Sequence, residues 1–371
     1  MAGFRLRSSV LAGAVTLATV ASFLGASGAS AGAPPAASHA MSAGYSLTRL
    51  VSDKPAVADH QDTDLVNAWG LAAGPLTPWW VADNGTSLST IYGADGTKGS
   101  FVVNVPEDPT GMVFNGGSNF VVTHGKHSGP SLFLFDTEAG QILGWNPNVP
   151  PPAPSTKAFV VVDKTNEGAI FKGLAIASTP AGDRLYATDF AGAKVDVFDG
   201  DFNQIDTPGQ FTDPNLPKHY APFGIQTIGS DVFVTYGKQV PGSGDEADGR
   251  TLGFVDEYNT SGMLVARVAS RGVLNAPWGL AMAPSDFGRF SGDLLVGNFG
   301  NGKINAYTWS KGSWKRAGTL RRRSGTVIKI DGLWALEFAN GGPSGATNQL
   351  FFTAGPGDES HGLFGVIQAT G

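Results

Sequence analysis

The sequence predicts an all-β fold, a six-bladed β-propeller, and three observations support this prediction. Glycine is abundant, at 52 of 371 residues, whereas charged residues make up only 15% of the chain. This composition favours short strands joined by tight turns. Hydrophobic residues reach 42%, which is enough for a sizeable core. One motif, a small residue followed by an aliphatic one, recurs six times at intervals of about 40 to 60 residues, as propeller blades do.

The N-terminal residues predict export. Two arginines precede a short apolar run over residues 10–24, and an Ala-Ser-Ala pattern typical of a cleavage site ends at Ala31. The apolar run is shorter than the roughly 20 residues needed to span a bilayer. Residues 1–31 are therefore predicted to be a signal peptide of the general secretory route, and residues 32–44 a linker rich in Ala, Pro and Ser. The protein is expected to be secreted, with no transmembrane segment.

Residues 45–371 are predicted to form a single propeller domain. Each repeat begins with an inner strand centred on a small residue; the six positions are Gly70, Gly111, Gly173, Gly224, Gly279 and Ala335. Two further short strands follow in each repeat, and in the second repeat they are predicted at residues 121–124 and 132–135. The last repeat stops after three strands, and an unassigned strand at residues 45–51 precedes the first. We expect this strand to pair with the last blade and close the ring, which also covers a sheet edge.

Charge and composition exclude several classes of function. The formal net charge is −6, so nothing global would neutralise the phosphates of a nucleic acid. The chain has no cysteine, which excludes disulfides, thiolate metal sites and cysteine nucleophiles. The local pattern also excludes a P-loop for nucleotide binding. Residues 297–303 match the start of that motif, but Ile304 stands where Ser or Thr is required, and strands rather than a helix flank the segment.

The fifth repeat, with Pro277-Trp278-Gly279-Leu280 followed by the apolar strands at 294–298 and 304–307, resembles an NHL-type propeller repeat. Over residues 45–369 the chain is similar to a secreted bacterial family of six-bladed propellers of uncharacterised function. The strings at 330–336 and 352–365 carry this resemblance most specifically. Some members of that family carry a PEP-CTERM-type sorting tail, a pattern that the last residues here do not show. The resemblance implies a fold and export, and it supplies no catalytic residues.

Blade topology predicts which face could carry chemistry. In each blade, the loop that leads into the inner strand and the loop between the second and third strands lie on the same face of the propeller. On the predicted strands this face collects five of the six histidines, together with Asp189, Asp358 and other acids, whereas the proline-rich stretch 147–154 lies on the opposite face. Imidazoles and carboxylates on one rim could bind a divalent cation or exchange protons near neutral pH. The alternative is a rim that is merely solvated. The candidate catalytic residues are His124, His361, Lys172 and Asp189.

The channel mouth is predicted to carry aromatic side chains. The residue before the central small residue is aromatic in four repeats: Trp69, Phe223, Trp278 and Trp334. These rings could form a collar that binds a ligand, or they could pack between the blades. Lys172 occupies the same position in the third repeat, where it could hold an anion, pair with Asp189 or Glu167, or reach the solvated rim. Glu337, on the sixth inner strand, is either a ligand-facing carboxylate or a hydrogen-bonded core residue.

Two classes of function remain open. The sequence favours an exported, monomeric binding module whose loop-rich face takes a small molecule, a glycan or another exported protein. The alternative is a metal-assisted hydrolase or lyase, by analogy with lactonase, strictosidine-synthase-like and streptogramin-lyase propellers, although fold does not fix function. In that case a divalent cation such as calcium would be held by oxygen and nitrogen ligands. The candidate ligands are Asn67, Asp83, Asp189, Asn298 and Asp331.

Overall fold

The computed structural model describes residues 43–371. The predicted signal peptide, the linker up to residue 42 and His39 lie outside the described residues. Within 43–371 no helix has the length and apolarity needed to cross a bilayer. The described chain instead forms six antiparallel blades, and this confirms the predicted six-bladed propeller.

The strands follow one another from the channel outwards in each blade. The chain begins with β1 (Gly44–Ser52) and the short β2 (His60–Gln61). Blade 1 contains β3 (Ala68–Ala72), β4 (Trp79–Asp83), β5 (Leu88–Tyr92) and β6 (Val103–Asn104). Blade 2 starts with β7 (Pro109–Phe114); the hairpin β8 (Val121–His124) and β9 (His127–Pro130) precedes its other strands, β10 (Phe133–Thr137), β11 (Gln141–Trp145) and β12 (Phe159–Asp163). Blade 3 contains β13 (Phe171–Thr179), β14 (Gly182–Asp189), β15 (Lys194–Asp199) and β16 (Gln204–Ile205).

The last three blades repeat this order. Blade 4 contains β17 (Tyr220–Ile228), β18 (Asp231–Gln239), β20 (Phe254–Asn259) and β21 (Leu264–Ser270), and the short β19 (Glu246–Ala247) pairs with β18. Blade 5 contains β22 (Pro277–Met282), β23 (Leu294–Asn298), β24 (Ile304–Ser310) and β25 (Ser313–Thr319). Blade 6 contains β26 (Leu333–Phe338), β27 (Leu350–Ala354) and β28 (Leu363–Thr370). The 3-10 helices are Asn84–Thr86, Thr165–Glu167, Gly288–Phe290 and Gly342–Ser344.

The N-terminal strand closes the ring, as predicted. β1 pairs antiparallel with β28, in a register that runs from Gly44 opposite Thr370 to Ser52 opposite Leu363. The Tyr45 hydroxyl donates to the Phe287 carbonyl at 3.0 Å and accepts from the Phe290 N–H at 3.2 Å. β1 is therefore the outer strand of blade 6 and is also tied to blade 5.

The recurring small residue has a steric cause. The inner strands of adjacent blades converge on the channel, so their backbones lie close together. A Cβ at Gly111 would lie 2.3 Å from the Leu174 nitrogen, and one at Gly224 would lie 2.2 Å from the Trp278 carbonyl oxygen. Neither distance leaves room for a side chain, so glycine permits the blade spacing.

The strand assignment for the second repeat was wrong. Val121–His124 is not the second strand of blade 2 but pairs with His127–Pro130 in a separate hairpin. The second strand is Phe133–Thr137, which pairs with the inner strand. The hairpin therefore lies in the connection between the first two strands, which is on the face opposite the entry loops.

Candidate functional site

Lys172 lies at the centre of the channel mouth, near the start of the third inner strand. Its side chain is only 2% exposed and forms an ion pair with Glu138. Its ammonium nitrogen lies 5.1 Å from the centroid of the Trp69 ring. Burial alone would lower the pKa of Lys172, but the nearby carboxylates, Glu138 and Glu246 above all, raise it above its usual range. Lys172 therefore stays charged.

The partners considered for Lys172 in the sequence analysis were wrong. Asp189 lies 3.6 Å from Lys194, and Glu167 pairs with Lys164 at 2.8 Å. The partner is Glu138, the first residue after the second strand of blade 2, which the sequence analysis did not single out. Its position in the repeat could have indicated this role, because Asn84 follows the second strand of blade 1 in the same way and also faces the mouth.

A chain of hydrogen bonds joins three further polar residues to this ion pair. Asn84 donates to Glu138 at 3.1 Å, and Asn67 donates to Asn84 at 3.0 Å and to Glu359 at 2.7 Å. The Trp334 indole N–H donates to the Asn67 side-chain oxygen at 2.9 Å. Blades 1, 2, 3 and 6 thus contribute polar groups to one connected network. This network is called the mouth cluster below (Asn67, Asn84, Glu138, Lys172 and Glu359).

Acidic groups outnumber basic ones around the mouth cluster. Burial raises the pKa of Glu246 to about 7, although Lys172 opposes this rise. Burial also raises the pKa of Glu359, while its hydrogen bond from Asn67 and the charge of Lys172 oppose the shift. Asp245 and Asp358, on the neighbouring loops, are exposed. The mouth therefore presents one buried cation surrounded by carboxyl groups.

The four predicted aromatic residues pack on one another beneath the mouth cluster. Trp69 and Trp334 stack with ring centroids 3.7 Å apart, and Trp278 and Phe223 each lie 5.9 Å from Trp334. All four are buried. The Trp278 indole donates to the Lys172 carbonyl at 2.8 Å, whereas the buried Trp69 indole N–H has no acceptor among residues 43–371. These residues, called the aromatic plug below, form a floor under the mouth.

Three of the predicted metal ligands serve the turns of their own blades. The Asp83 carboxylate accepts from the Thr90 N–H at 2.8 Å, and that of Asp189 accepts from the Gly192 N–H at 2.9 Å. Asn298 donates to a loop carbonyl at 2.8 Å. In the described part of the chain, no group of three or more His, Asp or Glu side chains is placed to hold a metal ion. Another predicted ligand, Asn67, lies in the mouth cluster. Binding of calcium stays a prediction.

The side chains of His361 and Asp331 do not enter the mouth cluster, although the His361 carbonyl accepts from the Asn67 N–H at 3.0 Å. Both line a lateral cavity of about 330 Å³ between β1 and the segment that enters blade 6. The His361 Nδ1 atom lies 2.8 Å from a carboxylate oxygen of Asp53, and its Nε2 atom lies 3.3 Å from the Lys54 ammonium. Asp331 accepts from the Gly357 N–H at 3.0 Å. These contacts fix both side chains beside the outer strand of blade 6.

His124 is on the opposite face, so its predicted placement beside Asp189 and Asp358 was wrong. It ends the first strand of the hairpin in blade 2, and its ring stacks on Phe159 with centroids 4.2 Å apart. His124 and Phe159 line a separate cavity of about 320 Å³, together with prolines of the stretch 150–154 and Lys157.

Comparisons with known proteins agree with the fold. The chain is 35% identical over 341 residues to uncharacterised protein R648 of Acanthamoeba polyphaga mimivirus, covering 87% of this chain and 80% of R648. It is 31% identical over 343 residues to protein L690 of the same virus, covering 87% and 85%. These relatives are viral, whereas the sequence analysis expected a bacterial family. No family model matches the chain.

Similar solved structures are β-propeller proteins. A soluble aldose sugar dehydrogenase from Escherichia coli has a TM-score of 0.53 at 11% identity, covering 87% of this chain and 99% of that one. A streptogramin B lyase has a TM-score of 0.50 at 11% identity, with 88% and 98% covered. Regucalcin from Agrobacterium tumefaciens has a TM-score of 0.50 at 11% identity, with 83% and 92% covered. At this identity the likeness shows the fold alone.

Proposed function

We propose that this chain, which belongs to the family of the mimivirus proteins R648 and L690 and folds as a six-bladed propeller, is an exported binding module. Its ligand is an uncharged glycan, and the binding site is the mouth cluster. Export is supported by the signal-peptide pattern of residues 1–31. The site is supported by the convergence of polar side chains from four blades on one point.

The charge arrangement supports an uncharged ligand. Lys172 is buried and already forms an ion pair with Glu138, so a cationic ligand would have to compete with Lys172 for that carboxylate. Glu246 and Glu359 also lie near Lys172, so an anionic ligand would approach several carboxyl groups. A neutral polyhydroxylated ligand needs no ion pair and avoids both costs.

The donor and acceptor pattern supports a glycan in particular. Carboxylates only accept hydrogen bonds, an ammonium group only donates them, and amides do both. Sugar hydroxyl groups donate and accept, so they can satisfy all three kinds of group. Trp69 and Trp334 are buried beneath the cluster, so they support its polar groups from below, and the Trp334 indole orients Asn67 by donating to its side-chain oxygen. The mouth cluster therefore offers the donors and acceptors that sugar hydroxyl groups need.

One observation favours an enzyme at the same mouth as the second candidate. The pKa of Glu246 is raised to about 7, which suits a general base at neutral pH. In this case Glu246, rather than His124, would take a proton from the bound substrate. Release of product from the bound glycan would distinguish this candidate from simple binding.

Isothermal titration calorimetry with a set of sugars tests the proposal. We expect N-acetylglucosamine, glucose or cellobiose to bind more tightly than glucosamine, which is cationic, and glucuronate, which is anionic. Glu359→Gln should weaken binding about tenfold, since it weakens one hydrogen bond to a charged group. Lys157→Ala, on the opposite face, should leave the affinity unchanged.

Two results would contradict the proposal. One is the absence of binding by any of the neutral sugars at millimolar concentration. The other is a loss of affinity in Lys157→Ala that equals the loss in Glu359→Gln, because the two residues lie on different faces of the propeller.

A further inference from the structure

The central channel continues below the aromatic plug as a separate cavity. This cavity has a volume of about 220 Å³ and is called the lower lumen below. Its wall consists mainly of apolar side chains from the inner strands, among them Leu71, Met112 and Phe114. The lining residues lie in the second halves of those strands, so the lower lumen opens on the face opposite the mouth cluster. A contiguous space at its inner end reaches Trp278 of the plug.

Polar side chains from two blades converge in this cavity. Gln226, on the inner strand of blade 4, donates to the Glu337 carboxylate, on the inner strand of blade 6, at 3.1 Å. Thr227 lines the same cavity, and its buried hydroxyl has no partner among the described residues. A cavity that combines apolar side chains with a few convergent polar groups is the usual form of a small-molecule site.

Glu337 has no countercharge in the lower lumen. Of the described residues that line the cavity, Glu337 alone has a titratable side chain. The inner strands packed around it contribute Gln226, Thr227 and otherwise apolar side chains. Burial raises the pKa of Glu337 to about 8, while the hydrogen bond from Gln226 opposes the rise. An ionised carboxylate in such surroundings is costly unless an opposite charge is placed beside it.

We propose that the lower lumen is a second binding site, which takes a small organic ammonium compound. Its cationic group pairs with the Glu337 carboxylate, and its apolar part lies against Met112 and Phe114. The volume is below the roughly 300 to 1,000 Å³ of drug-sized pockets, so the ligand is correspondingly small. A charge-assisted hydrogen bond in an apolar cavity is stronger than a neutral one, which favours an ammonium compound over an alcohol of the same shape. This site is independent of the mouth cluster.

The proposal predicts a pH dependence with a definite sign. Below the pKa of Glu337 the carboxyl group is protonated, and ammonium binding must then release that proton. As the pH rises towards this pKa, the affinity should therefore increase about tenfold for each pH unit, and it should level off above the pKa until the ligand's own ammonium group loses its proton. An uncharged ligand of the same shape should lack this dependence.

Calorimetric titration with benzylammonium, compared with benzyl alcohol, tests the proposal on the full protein. We expect benzylammonium to bind with the stated pH dependence, and benzyl alcohol to bind more weakly without it. Glu337→Gln should weaken benzylammonium binding at least tenfold and remove its pH dependence. Glu359→Gln, a change confined to the mouth cluster, should bind benzylammonium as the native protein does.

Equal benzylammonium affinity in the native protein and Glu337→Gln would overturn the proposal, as would the same pH dependence for benzyl alcohol. A measurement on the native protein covers the case in which Glu337→Gln does not fold. The side-chain carboxyl ¹³C signal of Glu337 should titrate at a pH at least one unit lower in saturating benzylammonium. An unchanged titration would equally overturn the proposal.

Discussion

Lys172 is the residue on which the mouth cluster depends most. It is almost fully buried, and among the described residues its ion-pair partner is Glu138 of the neighbouring blade. Removing one member of a buried pair leaves the other with an uncompensated charge. Because Glu138 is partly exposed, water would compensate for part of this loss.

We expect Lys172→Met to lower the free energy of unfolding by about 2 to 4 kcal/mol. The double variant with Glu138→Gln should recover part of this loss, since it removes the unpaired carboxylate. Urea denaturation of the two single variants and the double variant measures the coupling, with Lys157→Met as the exposed control. Strictly additive losses would contradict the assigned ion pair.

The same residue shows where sequence reasoning stops. The sequence predicted that a lysine among aromatic residues would lie near the channel, but it did not predict the partner. Glu138 lies 34 residues away in the preceding blade. Its side chain reaches Lys172 because adjacent blades bring a loop of one against the inner strand of the next. This approach depends on the path of each loop, which the repeat pattern does not contain.

The inner strands are the elements that the sequence predicts best. Five of their six central small residues are glycines, because the neighbouring backbone leaves no room for a Cβ at those positions; the sixth is Ala335. The second strand of blade 2 was assigned wrongly because residues 121–124 also have a strand-like pattern. Val121 is exposed, however, and the repeat from Gly111 to Gly173 is the longest of the set. That extra length corresponds to the inserted hairpin that carries His124.

Gly224→Ala tests the steric account of the inner strands. A Cβ there would lie 2.2 Å from the Trp278 carbonyl oxygen, so the backbones of blades 4 and 5 must separate. We expect a loss of more than about 2 kcal/mol in the free energy of unfolding. Gly116→Ala is the control, because its nearest neighbour is a Phe114 ring atom at 3.3 Å. Equal melting temperatures for the two variants would show that the close approach is not what requires glycine.

Ring closure governs the stability of the whole propeller. β1 supplies the outer strand of blade 6, so its removal would expose the edge of β28 and unlink the two ends of the ring. We expect deletion of residues 44–52 to lower the melting temperature by about 10 °C or more, since several kcal/mol of strand pairing are lost. Tyr45→Phe, which keeps the strand and removes one hydroxyl, should cost only about 1 to 2 kcal/mol. A deletion variant with the same melting temperature as the intact protein would refute closure by β1.

The aromatic plug divides the channel of the whole molecule into two compartments of different character. Above it, the mouth cluster is polar and is built by loops of several blades. Below it, the lower lumen is lined mainly by apolar side chains of the inner strands and contains Glu337. The sequence indicated the aromatic residues and Glu337 from their repeat positions, but their separation into two compartments follows only from ring stacking across the channel.

The central claim, that an uncharged glycan binds at the mouth cluster, is tested most directly by the indole N–H signals in a ¹H–¹⁵N NMR spectrum. The Trp334 indole donates to Asn67 in the cluster, whereas Trp309 is exposed on an outer strand of blade 5. Titration with N-acetylglucosamine or cellobiose should shift the Trp334 and Trp69 signals in a saturable way and leave the Trp309 signal in place. Saturable shifts at Trp309 alone, or no shift at any tryptophan, would contradict the account.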